Sequence, residues 1–332
     1  MILVTGGCGY LGSHCTIDLL NNNKEVIILD NLSNSDQSIN NKITTITNKK
    51  FKFEKVDIRN KKELSKLFSS NNIESVIHFA GLKSISDSYT QQSDYYSVNV
   101  LGTICLLETM LEYDVKNIVF SSSATVYGDN NPSPWKEDLV INFPESPYAQ
   151  TKFVVERLLE TYVIKKKLDS VAILRYFNPI GYHESGIIGE NLISSKNLIP
   201  AIMSYFLEQN DYVSIFGNDY DTIDGTGRRD YIHVSDLIRG HVQALNYINE
   251  NKGLYIWNLG SGKCFSVLEI INLFEEALKK KIKLRIEPKR EGDLGEFWAD
   301  IDKAKKDLSW SPKKTINQMI DDIIKFLLNQ MN

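Results

Sequence analysis

The sequence predicts an α/β protein: a Rossmann-type doubly wound parallel sheet followed by a smaller C-terminal α/β domain. Three observations predict it. Short, continuously apolar runs alternate with helix-period stretches through the first half of the chain. A glycine-rich turn directly follows the first of these runs. The second half loses the alternation and carries loops rich in Gly, Ser, Asn and Asp. Continuous Val/Ile/Leu strands separated by helices mark a parallel sheet covered on both faces. Repeated strand–helix units then imply a doubly wound sheet.

The elements follow in order. Ile2–Thr5 reads as a buried strand, and Leu11, Cys15 and Leu19 recur at helical spacing after it. Residues 25–30 hold Val26-Ile27-Ile28-Leu29, a second strand. Residues 31–50 are polar and read as a surface excursion. Residues 51–56, 75–80, 117–121 and 171–176 read as four further strands. The segments 178–195, 218–227 and 289–295 read as loops, and loops of this length in a compact domain usually carry function. The expected division is a dinucleotide-binding domain over 1–176, with 230–260 returning to it, and a second domain over 177–332.

Composition narrows the function. A chain of 332 residues suits two domains better than one, and 42% hydrophobic residues can build real cores. A net charge of −4 leaves no basic footprint for nucleic acid. Cys8, Cys15, Cys105 and Cys264 form no CxxC pair and lack histidine partners at metal spacing. Reduced thiols in the cytoplasm are expected, with no metal. No secretory segment is read at the start of the chain, and no apolar run approaches the ~18 residues that read as a membrane helix.

The turn at residues 5–12 reads Thr-Gly-Gly-Cys-Gly-Tyr-Leu-Gly, between a strand and a helix. Gly6, Gly9 and Gly12, with Tyr10 and Leu11 opening the helix, suit a pyrophosphate held on backbone N–H groups at a helix N-terminus. Glycines needed only for helix–strand packing would give the same pattern. Eighteen residues past Gly12, Asp30 ends the second strand. A carboxylate there accepts from a ribose diol and repels a 2′-phosphate, which selects NAD over NADP. Asn31 can share that ribose. Asp57 and Ile58 are placed to meet the adenine, although Asp57 also reads as a helix N-cap.

Tyr148 and Lys152 stand at i, i+4 and share one helix face. A phenol ionises near pH 10 and is a poor base at neutrality. A neighbouring ammonium and a positive nicotinamide ring would both favour the phenolate. The same spacing also occurs on surface helices with a snorkelling lysine. Context favours chemistry. The fifth strand runs into Ser121-Ser122-Ser123, at the sheet end that faces the ligand crevice. The fourth ends His78-Phe79-Ala80-Gly81-Leu82-Lys83, with Gly81 for close cofactor approach and Lys83 near a ribose. His78 reads as a packed strand histidine.

The motifs TGGCGYLGSH (5–14), LDNLSNS (29–35), HFAGLKS (78–84), FSSSATVYG (120–128), SPYAQTK (146–152), LRYFNPIG (174–181), IFGNDYDTIDGTGRRDYIHVSDL (215–237) and KREGDLGEFWAD (289–300) run almost end to end. Together they resemble the UDP-glucose 4-epimerase family, within the extended short-chain dehydrogenase/reductases. The resemblance implies tightly bound NAD and inversion at sugar C4 through a 4-keto intermediate, interconverting UDP-galactose and UDP-glucose. It implies that Tyr148 is the acid/base, that Ser123 bonds the reacting oxygen and that Lys152 binds the nicotinamide ribose. Phe79, Ala80, Lys83 and Phe177 match positions around the cofactor, and another such position falls near Val98-Asn99 without a fixed register. Asn178, Asn197, Leu198, Ile215, Phe216, Arg229, Arg290 and Asp293 match positions that hold the UDP-sugar in the second domain. Phe297 falls where residue size admits or excludes N-acetylated sugars, and a bulky ring there implies poor use of UDP-GlcNAc.

A decarboxylase of UDP-glucuronate would want an acid at Thr125, and none is present. A nucleotide-sugar 4,6-dehydratase carries Asp-Glu after the residue matching Ser123, and this chain has Ala124-Thr125. A dinucleotide-sensing protein without catalysis would have no use for Ser123, Tyr148 and Lys152 together. The helix from Tyr148 carries Val154, Val155, Leu158, Leu159, Tyr162 and Val163, a broad apolar stripe, and residues 101–111 are similarly rich. The resemblance implies a homodimer through these two helices. Burial of both faces within one chain is the competing reading.

Overall fold

The computed structural model describes residues 1–128, 132–190, 197–290 and 293–331. Residues 191–195 of the loop read at 178–195, and 291–292 of the loop read at 289–295, lie outside the described residues. The strands are β1 (Ile2–Thr5), β2 (Val26–Asp30), β3 (Lys52–Lys55), β4 (Ser75–His78), β5 (Asn117–Ser123), β6 (Ser170–Tyr176), β7 (Asn178–Ile180), β8 (Val213–Phe216), β9 (Arg228–His233), β10 (Gly253–Leu259), β11 (Cys264–Ser266), β12 (Leu284–Glu287) and β13 (Glu296–Phe297). The helices are α1 (Tyr10–Asn21), α2 (Ser38–Thr47), α3 (Lys61–Ser69), α4 (Ile85–Thr90), α5 (Gln92–Tyr95), α6 (Gly102–Glu112), α7 (Pro147–Ile164), α8 (Leu198–Phe206), α9 (Val234–Glu250), α10 (Val267–Leu278), α11 (Asp302–Leu308) and α12 (Ile316–Met331). A π-helical segment, Tyr96–Leu101, joins α5 to α6, and a 3₁₀ turn, Ala124–Tyr127, follows β5.

Seven parallel strands form the main sheet in the order β3-β2-β1-β4-β5-β6-β10. Alternate residues of each strand face opposite sides of a sheet. Val4, Ile28, Ile77, Val119 and Leu174 therefore join the core under α1 and α9, while Leu3, Ile27, Val76, Ile118 and Ile173 join the core on the other face. Both sets are fully buried, so the middle of each strand is an apolar stretch. Strand order reverses between β1 and β4, which opens a crevice at their C-terminal ends. Gly6 and Ala80 meet there: a Cβ on Gly6 would lie 2.7 Å from Ala80 N.

The second half builds a separate apolar core from α8, α10, α12 and β8, including Ile202, Met203, Ile215, Ile270, Phe274 and Ile323. Here β9 pairs with β7, β11 and β13, and β8 pairs with β12. The chain returns to the main sheet at α9 and β10, whereas β9 stays with the smaller sheet.

Two expectations are corrected and one strand is added. The excursion at 31–50 contains helix α2, held down by buried Ile43 and Thr47 and by partly buried Ile39 and Ile46. The segment 178–195 begins with strand β7 rather than loop. Strand β10 goes beyond the return expected for 230–260; its first four residues are only half-buried, at the edge of the sheet.

Candidate active site

The crevice opens into one cleft of about 1750 Å³ that reaches from the glycine turn to the second core. Every residue expected to hold cofactor or substrate lines it.

At one end lies the turn after β1. Gly6 has φ +67°, which glycine adopts without strain. Gly12 packs so closely on the turn that a Cβ there would lie 2.7 Å from Gly7 Cα. Helix α1 begins behind it with Gly9 as N-cap, whose missing side chain leaves the N-terminal N–H groups uncapped by it. Asp30 is fastened at the end of β2: Cys8 N donates to Oδ2 at 3.0 Å, and Leu32 N and Ser35 Oγ donate to Oδ1 at 2.9 Å. Asn31 Nδ2 donates to Asp57 Oδ2 at 2.9 Å. Arg59, with Asn31 adding a bond, holds the Asp57 carboxyl well below the usual carboxylate range. Asp57 does not cap the next helix; Asn60 does, accepting from Glu63 N. A cradle that any Cβ would fill, with a carboxylate presented at the next strand end, fits NAD.

In the middle lie the catalytic candidates. Ser146 caps α7 by accepting from Ala149 N, with Pro147 in the first turn, so Tyr148 sits at the start of the helix over the cleft. Tyr148 is buried and hydrogen-bonded to Ser123. Burial outweighs that bond and pushes the phenol up to about 12. The expected lowering by Lys152 is therefore not met by the protein alone. Lys152 Nζ lies 5.9 Å from the Tyr148 ring centroid and donates to Ser121 O at 2.8 Å. Burial brings this ammonium down to about 8, opposed by the Glu156 carboxylate. Ser123 Oγ is 3.0 Å from Thr125 Oγ1, and neither Ala124 nor Thr125 supplies an acid. His78 packs between Thr5 Oγ1 at 2.7 Å and Thr103 Oγ1 at 2.8 Å, with burial lowering it to about 3. It is the packed histidine the sequence suggests.

At the far end, Arg229 on β9 pairs with Asp293 and donates to Arg228 O at 2.9 Å. Its guanidinium lies 4.6 Å from the Phe297 ring centroid. On the other side Phe297 stacks on Trp135, with centroids 4.9 Å apart and planes 4° apart. Arg290 lies 3.8 Å over the Phe216 ring, beside Ile215. Asn178 starts β7, and Asn197 and Leu198 start α8. Phe177 packs near Trp135 and Phe297. Lys83 pairs with Glu190 at 2.7 Å across the cleft.

Residues 2–260 match the family described as NAD dependent epimerase/dehydratase. The chain belongs to that family. UDP-glucose 4-epimerase from Neisseria meningitidis serogroup C is 45% identical over 332 residues, covering 100% of this chain and 98% of its own length. The structure of UDP-glucose-4-epimerase from Stenotrophomonas maltophila with bound NAD and formylated UDP-arabinopyranose superposes with TM-score 0.95 at 39% identity, covering 99% of this chain and 98% of that one. That from Bifidobacterium longum in complex with NAD+ and UDP gives 0.94 at 39% identity, over 100% and 99%. The Rossmann-type fold and NAD as cofactor follow for this family member.

The resemblance left Val98-Asn99 without a fixed register, and the structure gives Asn99 a place. Asn99 is buried; its Oδ1 accepts from Leu82 N at 2.8 Å, and its Nδ2 donates to Leu82 O and to Thr151 Oγ1, both at 3.0 Å. It clips the turn after β4 to α7. Sequence reasoning missed Trp135, Tyr95 and Glu156. For Glu156 a signal existed, a carboxylate at i+4 from Lys152 on an apolar helix face. For Asn99 and Trp135 the partners are distant in sequence, and no local pattern marks them.

Proposed function

We propose that this protein interconverts UDP-galactose and UDP-glucose by inverting sugar C4 through a transient 4-keto sugar, with NAD held throughout. The observation that carries the reading is the convergence of Ser123, Tyr148 and Lys152 midway along a cleft with a dinucleotide cradle at one end and two arginines at the other. Bound NAD supplies the hydride acceptor and donor at C4. Tyr148 takes the proton from the 4-hydroxyl and later returns it, Ser123 bonds the same oxygen, and Lys152 provides the adjacent positive charge. Arg229 and Arg290 hold the diphosphate, a geometry for which guanidinium is suited. Asp293 accepts from the uridine ribose, Phe216 and Ile215 flank the base, and Asn178, Asn197 and Leu198 line the sugar side. Phe297 closes the wall near the sugar and disfavours N-acetyl groups. Without an acid at 124 or 125, proton transfer stays at C4, which speaks against dehydration.

The protein is read as a cytoplasmic homodimer. Val154, Leu158 and Tyr162 on α7 and Ile104 on α6 remain half-buried, and Leu101 just before α6 is 51% exposed, which supports a face awaiting a second copy. All four thiols are free. No helix is long and apolar enough to cross a membrane among the described residues.

The test is purified protein given UDP-galactose with no added cofactor. UDP-glucose should accumulate, and Tyr148→Phe should lower kcat by roughly 10²–10⁴ while NAD stays bound. Undiminished turnover by Tyr148→Phe would remove Tyr148 from the mechanism.

A further inference from the structure

Glu156 stands one helical turn beyond Lys152 and two beyond Tyr148, on the same face of α7. It is wholly buried. Its Oε1 accepts from Ser122 Oγ at 2.5 Å and from Arg175 Nε at 3.1 Å, and its Oε2 accepts from Arg175 Nη2 at 2.7 Å. Arg175 is buried too, with its guanidinium 4.8 Å from the Tyr127 ring centroid. Strands β5 and β6 thus fix one carboxylate in a single orientation beneath the catalytic candidates. A buried ion pair of this kind is weak support for stability, because well-packed apolar residues serve as well. Its placement has another consequence.

We propose that Glu156 is a positioning residue for the reaction: its carboxylate, clamped by Arg175 and Ser122, keeps the Lys152 ammonium charged beneath Tyr148. The inference rests on the proton-transfer role given above to Tyr148 and Lys152. Burial favours loss of the Lys152 proton, and the carboxylate one turn away opposes it. The other titratable groups facing this cluster do not replace it. His78 on β4 is held neutral by burial. Tyr95 on α5 meets the Tyr148 ring edge-on, and Tyr176 on β6 and Tyr127 in the 3₁₀ turn are buried phenols pushed upward. Arg157, on α7 itself, approaches Glu156 only to 3.8 Å, and Arg175 is occupied in the clamp.

The experiment is the pH profile of kcat for full-length protein and its Glu156→Gln and Glu156→Asp variants, with NAD content and KM measured alongside. Glu156→Gln keeps the shape and removes the charge. Its alkaline limb should move to lower pH by about one unit, while KM and NAD content hold. Glu156→Asp restores the charge and should return the limb to the wild-type position. A Glu156→Gln profile that superimposes on wild type, or a loss uniform across pH, overturns the proposal. Should Glu156→Gln fail to fold, Glu156→Asp carries the test: a displaced alkaline limb with the charge present also overturns it. Lys152→Met tests the underlying reading separately. Wild-type turnover by that variant would defeat the role of Lys152 itself, whatever Glu156 does.

Discussion

A methyl group at position 12 meets the backbone of Gly6 and Gly7. Added to Gly12, a Cβ would fall well inside contact with the Gly6 carbonyl oxygen and 2.7 Å from Gly7 Cα, about 0.7 Å short of the 3.4 Å at which ordinary contact begins. No side chain is available to swing away, so the turn and the start of α1 must separate. Overpacking of this kind costs roughly 1–3 kcal/mol. At about 2–4 °C per kcal/mol, Gly12→Ala should lower Tm by on the order of 5 °C. The same shift carries backbone N–H groups off the pyrophosphate. Each charge-assisted bond lost is worth about 1.5–3 kcal/mol, or about tenfold to a hundredfold in NAD affinity. Gly9 is the internal control. A Cβ there would lie 3.2 Å from Gly6 O, a contact that a few tenths of an ångström relieve. Gly9→Ala should keep Tm in nucleotide-free protein near wild type and weaken NAD only through the pyrophosphate. The assay is Tm of nucleotide-free protein for both variants, with an NAD titration of each. Equal Tm values for wild type and Gly12→Ala, with full NAD affinity, would refute the steric reasoning.

Two further outcomes are expected. Phe297→Gly removes a ring clamped between Trp135 and Arg229, so the sugar wall opens without the neighbours refilling it; kcat/KM for UDP-GlcNAc relative to UDP-galactose should rise about tenfold or more, and an unchanged ratio would show that Phe297 does not gate the site. His14, His78 and His241 are buried, and burial lowers them to about 3, about 3 and about 4. Below about pH 6.5 the unfolded chain binds protons at these positions and the folded one does not, so stability is lost as pH falls toward 4. At pH 5 each costs about 2 kcal/mol, and the urea midpoint should fall well below its value at pH 7.5; a flat midpoint over that range would contradict neutral burial.

The parts legible in the sequence share one physical feature: their cause is local. Strands β1, β2, β4, β5 and β6 are buried on both faces, so each carries an apolar stretch. The turn needs residues without Cβ at Gly6 and Gly12, and Tyr148 and Lys152 stand one helical turn apart on α7. Features set by distant partners were silent. Strand β10 is a sheet edge, and its Tyr255 stacks on Trp257 outside the main alternation. Helix α2 is a different case: its isoleucines at 39, 43 and 46 stand at helical spacing, a local signal passed over among Asn and Thr. Asn99 matters through Leu82 and Thr151, and Trp135 through Phe297. The substrate-side residues came from the resemblance, since a loop arginine such as Arg229 has no local signature. The sign of the Tyr148 shift depended on its burial, which spacing does not encode.

The reading that a sugar 4-hydroxyl is oxidised and reduced within one cleft has a direct measurement. UDP-galactose is converted in D₂O by purified protein without added cofactor, and the product is analysed by NMR for deuterium at C4. The expected result is UDP-glucose with protium retained at C4, because the hydrogen removed from that carbon returns to it without meeting solvent. Deuterium at C4 would mean that the carbon loses a proton to water, and the proposed chemistry of Tyr148 and bound NAD would be wrong.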